Sequence, residues 1–100
     1  MAVVLWDGGP VRKFPSGRVV ATPAALATIN QSGEDPMVFL SRHLAGDWGD
    51  LSDTDKWAND AAIKDGNFIL SKYKTAKGKD LYVITEADRS VTTFLLPGER

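Results

Sequence analysis

Apolar residues recur every three or four positions in three stretches of the chain, and this spacing predicts three amphipathic helices. Each stretch opens with a residue whose side chain can cap a helix: Thr22, Asp35 and Ser52. The first two caps are followed by proline, which is favoured at the first helical position because no N–H is needed there. Glycines close the stretches, the last of them Gly66. The apolar face predicted for the third helix consists of Trp57, Ala58, Ala61 and Ala62.

Apolar and polar residues alternate in the last third of the chain, which predicts strands at 68–74, 80–85 and 91–96. Turn residues separate these segments, with Lys77-Gly78 in the first turn and residues 86–89 in the second. Because short turns join strands that lie side by side in opposite directions, the three segments predict an antiparallel β-meander.

The first twenty residues predict smaller elements. Residues 2–6 are interpreted as an extra N-terminal strand, 11–17 as a basic arm, and Val19-Val20 as a short extended piece. Helices that precede strands indicate an α+β fold, here about three short helices followed by a three-stranded antiparallel meander. We expect one domain over residues 1–100, consisting of a strand and arm (1–17), a helical part (18–66) and the meander (67–97).

Composition narrows the function classes. The chain has 100 residues, a formal net charge of −1 and no cysteine. A balance this close to neutral argues against direct nucleic-acid binding, because such domains are usually basic. The absence of cysteine excludes disulfides and thiolate chemistry and is typical of a reducing compartment. No apolar run approaches the ~20 residues of a membrane span and no signal peptide is apparent, so we expect a cytoplasmic protein. The sequence contains no glycine-rich phosphate loop and no dinucleotide-binding motif, and we expect no cofactor.

Charge is distributed unevenly along the chain. Residues 44–66 hold six aspartates and two lysines, whereas residues 71–79 hold four lysines and no acid. Solvated surfaces explain both groups. The alternative is an acidic patch that meets a basic partner or mimics nucleic acid.

Two runs have compositions that helix and strand propensities do not explain: residues 42–51, the first run, and residues 84–93, the second run. The first run contains Trp48 between two Gly-Asp pairs. Trp48 is interpreted either as a side chain that fills the core between two helices or as an exposed aromatic anchor flanked by acids. The turn in the second run has a structural explanation as well, because Asp88 and Ser90 can bond the turn backbone and Arg89 can pair with Glu86.

A catalytic alternative uses both runs. His43 is the only histidine, and with Glu86 and Arg89 it would supply an acid, a base and a phosphate clamp for RNA cleavage without metal. The order of helices and strands is similar to that of small barnase-like and RelE-like nucleases, in topology and residue type only. No metal site is expected, because His43, Asp47 and Asp50 alone are a weak ligand set.

The patterns RHxxGDWGDL at 42–51 and ITEADRSxTTxLLP at 84–97 resemble a family of small proteins that bacterial plasmids, integrated elements and phages carry. The resemblance covers roughly residues 17–97. It carries no activity and no residue roles, but it implies an accessory gene on mobile DNA, where inhibitors of host defence are common.

The leading hypothesis is a non-enzymatic protein-binding factor that inhibits a bacterial defence complex, of anti-CRISPR or anti-restriction type. The alternatives are the ribonuclease and a structural or regulatory small domain. The residues predicted to contact a protein partner are Asp47, Trp48, Asp50, Asp53, Glu86, Asp88 and Arg89.

Overall fold

The computed structural model describes residues 2–100 and is an α+β fold with three helices and one mixed sheet. Its elements, in chain order, are β1 (Val3–Trp6), β2 (Arg18–Ala21), α1 (Pro23–Gln31), α2 (Pro36–Leu44), α3 (Asp53–Asp65), β3 (Ile69–Lys74), β4 (Asp80–Thr85), β5 (Val91–Leu95) and a final 3-10 turn (Pro97–Glu99).

The three helices begin where the sequence predicts. The side chains of Thr22, Asp35 and Ser52 accept hydrogen bonds from backbone N–H groups in the first turn of α1, α2 and α3. Gly66 ends α3 in the left-handed conformation, at φ 75°. The prediction of three short helices is therefore confirmed, and local capping chemistry explains their starts.

The sheet is larger than predicted, with five strands in the order β1-β2-β5-β4-β3. The antiparallel meander β3-β4-β5 is present, but β2 pairs with the far side of β5 in parallel, and β1 pairs antiparallel with β2. The segment interpreted as a short extended piece around Val19-Val20 is thus an interior strand. The interior position of β2 could not be predicted, because its parallel partner β5 lies near the other end of the chain.

One face of the sheet packs on the helices. In the meander, Leu81, Val83 and Phe94 on this face are fully buried. The predicted basic arm, residues 11–17, also packs against the rest of the protein, because Phe14 is 3% exposed and belongs to the same core. No helix within residues 2–100 is long and apolar enough to cross a membrane.

Candidate partner-binding surface

His43 lies in the core, not at the surface, and both nitrogens of its ring are hydrogen-bonded. The Ser71 Oγ is 2.6 Å from Nδ1 and the Thr85 Oγ1 is 2.9 Å from Nε2. Thr85 in turn lies 2.7 Å from the Thr92 hydroxyl, which donates to the backbone carbonyl of Ser16. The side chain is 0% exposed, so the ring is not open to a substrate in this structure.

The proton positions in this chain of hydrogen bonds follow from its last member. Thr92 uses its only hydrogen for Ser16, so Thr85 donates to Thr92 and must accept from His43 Nε2–H. Nδ1 therefore carries a lone pair that accepts from Ser71. Burial in this site, and to a lesser degree the charge of Arg89, lowers the pKa of His43 to about 3. The imidazole is neutral, and it holds β3, β4 and α2 together.

Arg89 is also a structural residue. It stands at φ 61° in the turn between β4 and β5, and its guanidinium donates to the backbone carbonyls of Ala62, Asn67 and Glu86 at 2.8, 2.7 and 3.1 Å. These bonds attach the turn to the end of α3. A guanidinium already bonded to three carbonyls has fewer donors left for a phosphate than a free one would have.

We expect Arg89→Ala to lower the free energy of unfolding by about 2 kcal/mol, because carbonyl groups of the α3 terminus lose a charged donor. Arg12→Ala is the matched control, since Arg12 is exposed and its side chain makes no hydrogen bond within residues 2–100. Urea unfolding of the two variants measures the difference. Equal unfolding midpoints would show that the guanidinium contacts do not stabilise the fold.

The acids of the second run remain on the surface. Asp88 accepts from the backbone N–H and the hydroxyl of Ser90 at 3.0 and 2.6 Å, and these bonds lower the pKa of its carboxyl. Glu86 is exposed and its backbone closes the turn by bonding Val91. Among the residues of the second run predicted to contact a partner, the Glu86 carboxylate makes no hydrogen bond or ion pair within residues 2–100.

Trp48 fills the core and is 4% exposed. Its ring packs against Phe14 and His43, and its indole N–H donates to Asp60 on α3 at 2.9 Å. The interpretation of Trp48 as a core side chain is confirmed. Its use as an exposed anchor at a partner surface is wrong, because the ring is not accessible.

The rest of the first run covers the free edge of β3. Lys72 N–H donates to the carbonyl of Trp48 at 3.1 Å, and Asp50 N–H donates to the carbonyl of Lys72 at 2.7 Å. Gly49 lies between them, paired in parallel with Lys72. An uncovered edge strand readily pairs with other chains, so this segment protects the sheet.

Asp47 positions this segment. Its carboxylate accepts from Arg42 Nε at 2.7 Å, and its backbone carbonyl accepts from the Tyr73 hydroxyl at 2.6 Å. The bond from Arg42 is the main reason that the pKa of the Asp47 carboxyl is lowered. Asp47, Asp50 and Asp53 are all exposed.

Helix α3 is fixed by polar contacts along its length. Asn59 bonds both backbone groups of Leu70 on β3, at 2.7 and 3.2 Å, while Trp48 bonds Asp60 and Arg89 bonds the Ala62 carbonyl. Only Asn59 and Ala62 of the helix are fully buried. The two runs therefore share a task, which is to hold α3 in a set orientation beside the sheet.

This orientation turns Trp57 outward, where it is 72% exposed. The prediction that Trp57 belongs to the apolar, core-facing side of the helix is wrong, because Asn59 takes the position that faces the sheet. Asp53 lies one turn before Trp57 and Asp60 one turn after it, on the same side of the helix. We name Asp50, Asp53, Trp57 and Asp60 the α3 surface.

The sequence did contain a signal for this exposure, since the neighbours of Trp57 at i−4 and i+3 are both aspartates.

Within residues 2–100 no group of three or more acidic or histidine side chains is arranged to hold a metal ion. Comparison with known proteins finds no matching family model, no similar curated protein and no similar solved structure.

Proposed function

We propose that this protein is a non-enzymatic binding module that uses the α3 surface to contact a basic protein partner. The observation that carries the proposal is Trp57, a large aromatic side chain left 72% exposed in the middle of a helix. Tryptophan is among the residues that most often contribute large binding energies at interfaces.

The electrostatics of the same surface support a basic partner. Asp50 and Asp53 are exposed, and Asp60 presents a carboxylate beside the indole of Trp48. The segment that contains them, residues 44–66, carries six aspartates and two lysines. An aromatic side chain surrounded by acidic residues fits a positively charged surface on a partner. The opposite charges would also raise the rate at which the partner associates with this protein.

The rigidity of α3 supports the proposal independently. A surface that is already ordered loses less entropy on binding than one that must be fixed by its partner. The contacts of Asn59, Trp48 and Arg89 hold the helix before any partner arrives.

For the class of partner, we propose a bacterial defence nuclease of CRISPR or restriction type, whose nucleic-acid groove would be basic. The resemblance of the two runs to proteins carried on mobile DNA suggests this setting. In that role the α3 surface would compete with nucleic acid for the groove by charge and by the contact of Trp57.

The test is capture of proteins from a bacterial lysate by tagged wild-type protein and by Trp57→Ala, with the bound proteins identified by mass spectrometry. We expect one partner in stoichiometric amount with the wild type, at least tenfold less with Trp57→Ala, and a steep loss as salt rises. Because Trp57 is exposed, the substitution should change the free energy of unfolding by less than about 0.5 kcal/mol.

Val38→Ala is the matched control, because Val38 is a half-exposed apolar residue on another helix, α2. Asp50→Asn combined with Asp53→Asn removes charge without removing the aromatic ring. A partner that all variants retain equally would refute the α3 surface as the binding site. Capture of no partner at all would favour the third hypothesis, a structural or regulatory domain.

A further inference from the structure

A groove of about 400 Å³ lies between α3 and the start of β3. Its apolar lining includes Leu51, Ala58, Phe68 and Leu70, and Asp55 contributes a carboxylate. The residues that line the groove do not include Asp50, Asp53, Trp57 or Asp60, so the groove lies on a different side of α3 from Trp57.

The chain's own Arg100 places a guanidinium against Phe68 at the wall of this groove. Arg100 lines the groove, and its guanidinium carbon lies 5.2 Å from the centre of the Phe68 ring. Phe68 is 49% exposed, so a face of its ring is open to such a cation. A planar guanidinium stacks on an aromatic face and forms forked hydrogen bonds with a carboxylate, which an ammonium group does less well.

The carboxylate of Asp55 is open to a ligand. Asp55 is exposed, and its backbone N–H is the group that Ser52 caps. No donor within residues 2–100 bonds its carboxylate. The groove thus combines an aromatic face, an acid and an apolar wall.

We propose that this groove binds the guanidinium of an arginine from the partner, and that Arg100 occupies the same place in the unbound protein. That the arginine comes from the partner rests on the proposed function. The binding of a guanidinium by the groove does not, and it can be measured without a partner.

The probe is Nα-acetyl-arginine amide, titrated into isotopically labelled full-length protein while backbone amide shifts are followed by NMR. Nα-acetyl-citrulline amide, a neutral isostere, is the control ligand. We expect saturable shifts at Asp55, Ala58 and Phe68 with arginine and none with citrulline.

Three variants locate the site. Arg100→Gln removes the internal occupant and should tighten probe binding about threefold, whereas Asp55→Asn and Phe68→Leu should each weaken it about threefold. Trp57→Ala should leave probe binding unchanged, so loss of partner capture in that variant with intact probe binding separates the two proposals.

Two results would overturn the inference. One is an absence of groove shifts in both wild type and Arg100→Gln. The other is a set of shifts spread over all exposed aspartates and unaltered in Asp55→Asn, which would show attraction of a cation to negative charge without a site.

Discussion

The free energy of unfolding is expected to fall by about 2 kcal/mol between pH 7 and pH 5, because of His43 alone. The folded protein holds the pKa of His43 at about 3, whereas the ordinary value is 6.5. Below pH 6.5 the unfolded chain therefore binds a proton that the folded chain excludes, so falling pH favours unfolding. Urea unfolding at several pH values measures the effect, and its steepest slope should be about 1.4 kcal/mol per pH unit.

The pH window separates His43 from the carboxyl groups. The lowered pKa values of Asp47, Asp88 and Glu99 make stability fall in the same direction, but these groups titrate from ordinary values of 3.8 and 4.5, below the window. His43 is the only histidine in the chain, so no second imidazole contributes.

Two substitutions test this assignment. His43→Gln can still accept from Ser71 and donate to Thr85, and it should lower stability at pH 7 by about 2 kcal/mol. His43→Leu leaves both hydroxyls without the ring and should cost about 3 kcal/mol. Both variants should lose the slope between pH 7 and pH 5. A slope that persists in His43→Gln would assign the proton to another group.

The helices could be predicted because their signals are local. Thr22, Asp35 and Ser52 each cap the turn that follows directly, and the structure keeps all three caps. The place of β2 could not be predicted in this way, since Arg18–Ala21 becomes an interior strand only by pairing with β5. Four residues contain no information about so distant a partner.

The candidate site shows the same limit. The sequence identifies the two unusual runs, but not that Asp47, Trp48, Asp88 and Arg89 make hydrogen bonds within the fold. Which tryptophan is exposed depends on Asn59, a polar side chain that faces the sheet because the edge of β3 offers it the unpaired backbone groups of Leu70. Helical periodicity alone places apolar residues inward and so chooses Trp57 for the core.

Gly49→Ala is expected to produce the largest loss of stability, about 4 kcal/mol in urea unfolding. Gly49 has φ 76°, and a Cβ at this position would collide with the Lys72 carbonyl and lie 2.8 Å from Cδ1 of Tyr73. The segment must then move off the edge of β3, which breaks the two hydrogen bonds that join Trp48 and Asp50 to Lys72. The left-handed backbone adds about 1–2 kcal/mol for any residue with a side chain.

Gly33→Ala is the matched control, because Gly33 has nearly the same φ, 75°, and nothing lies within 4 Å of the added Cβ. It should cost only the backbone strain, about 1–2 kcal/mol. The difference between the two variants therefore measures the protection of the β3 edge. If the first run serves to cover the edge of β3, Gly49→Ala should also form dimers or larger species in size-exclusion chromatography, whereas Gly33→Ala should not. Equal losses in both variants would mean that the glycine is needed for its backbone conformation and that close contact with β3 contributes nothing.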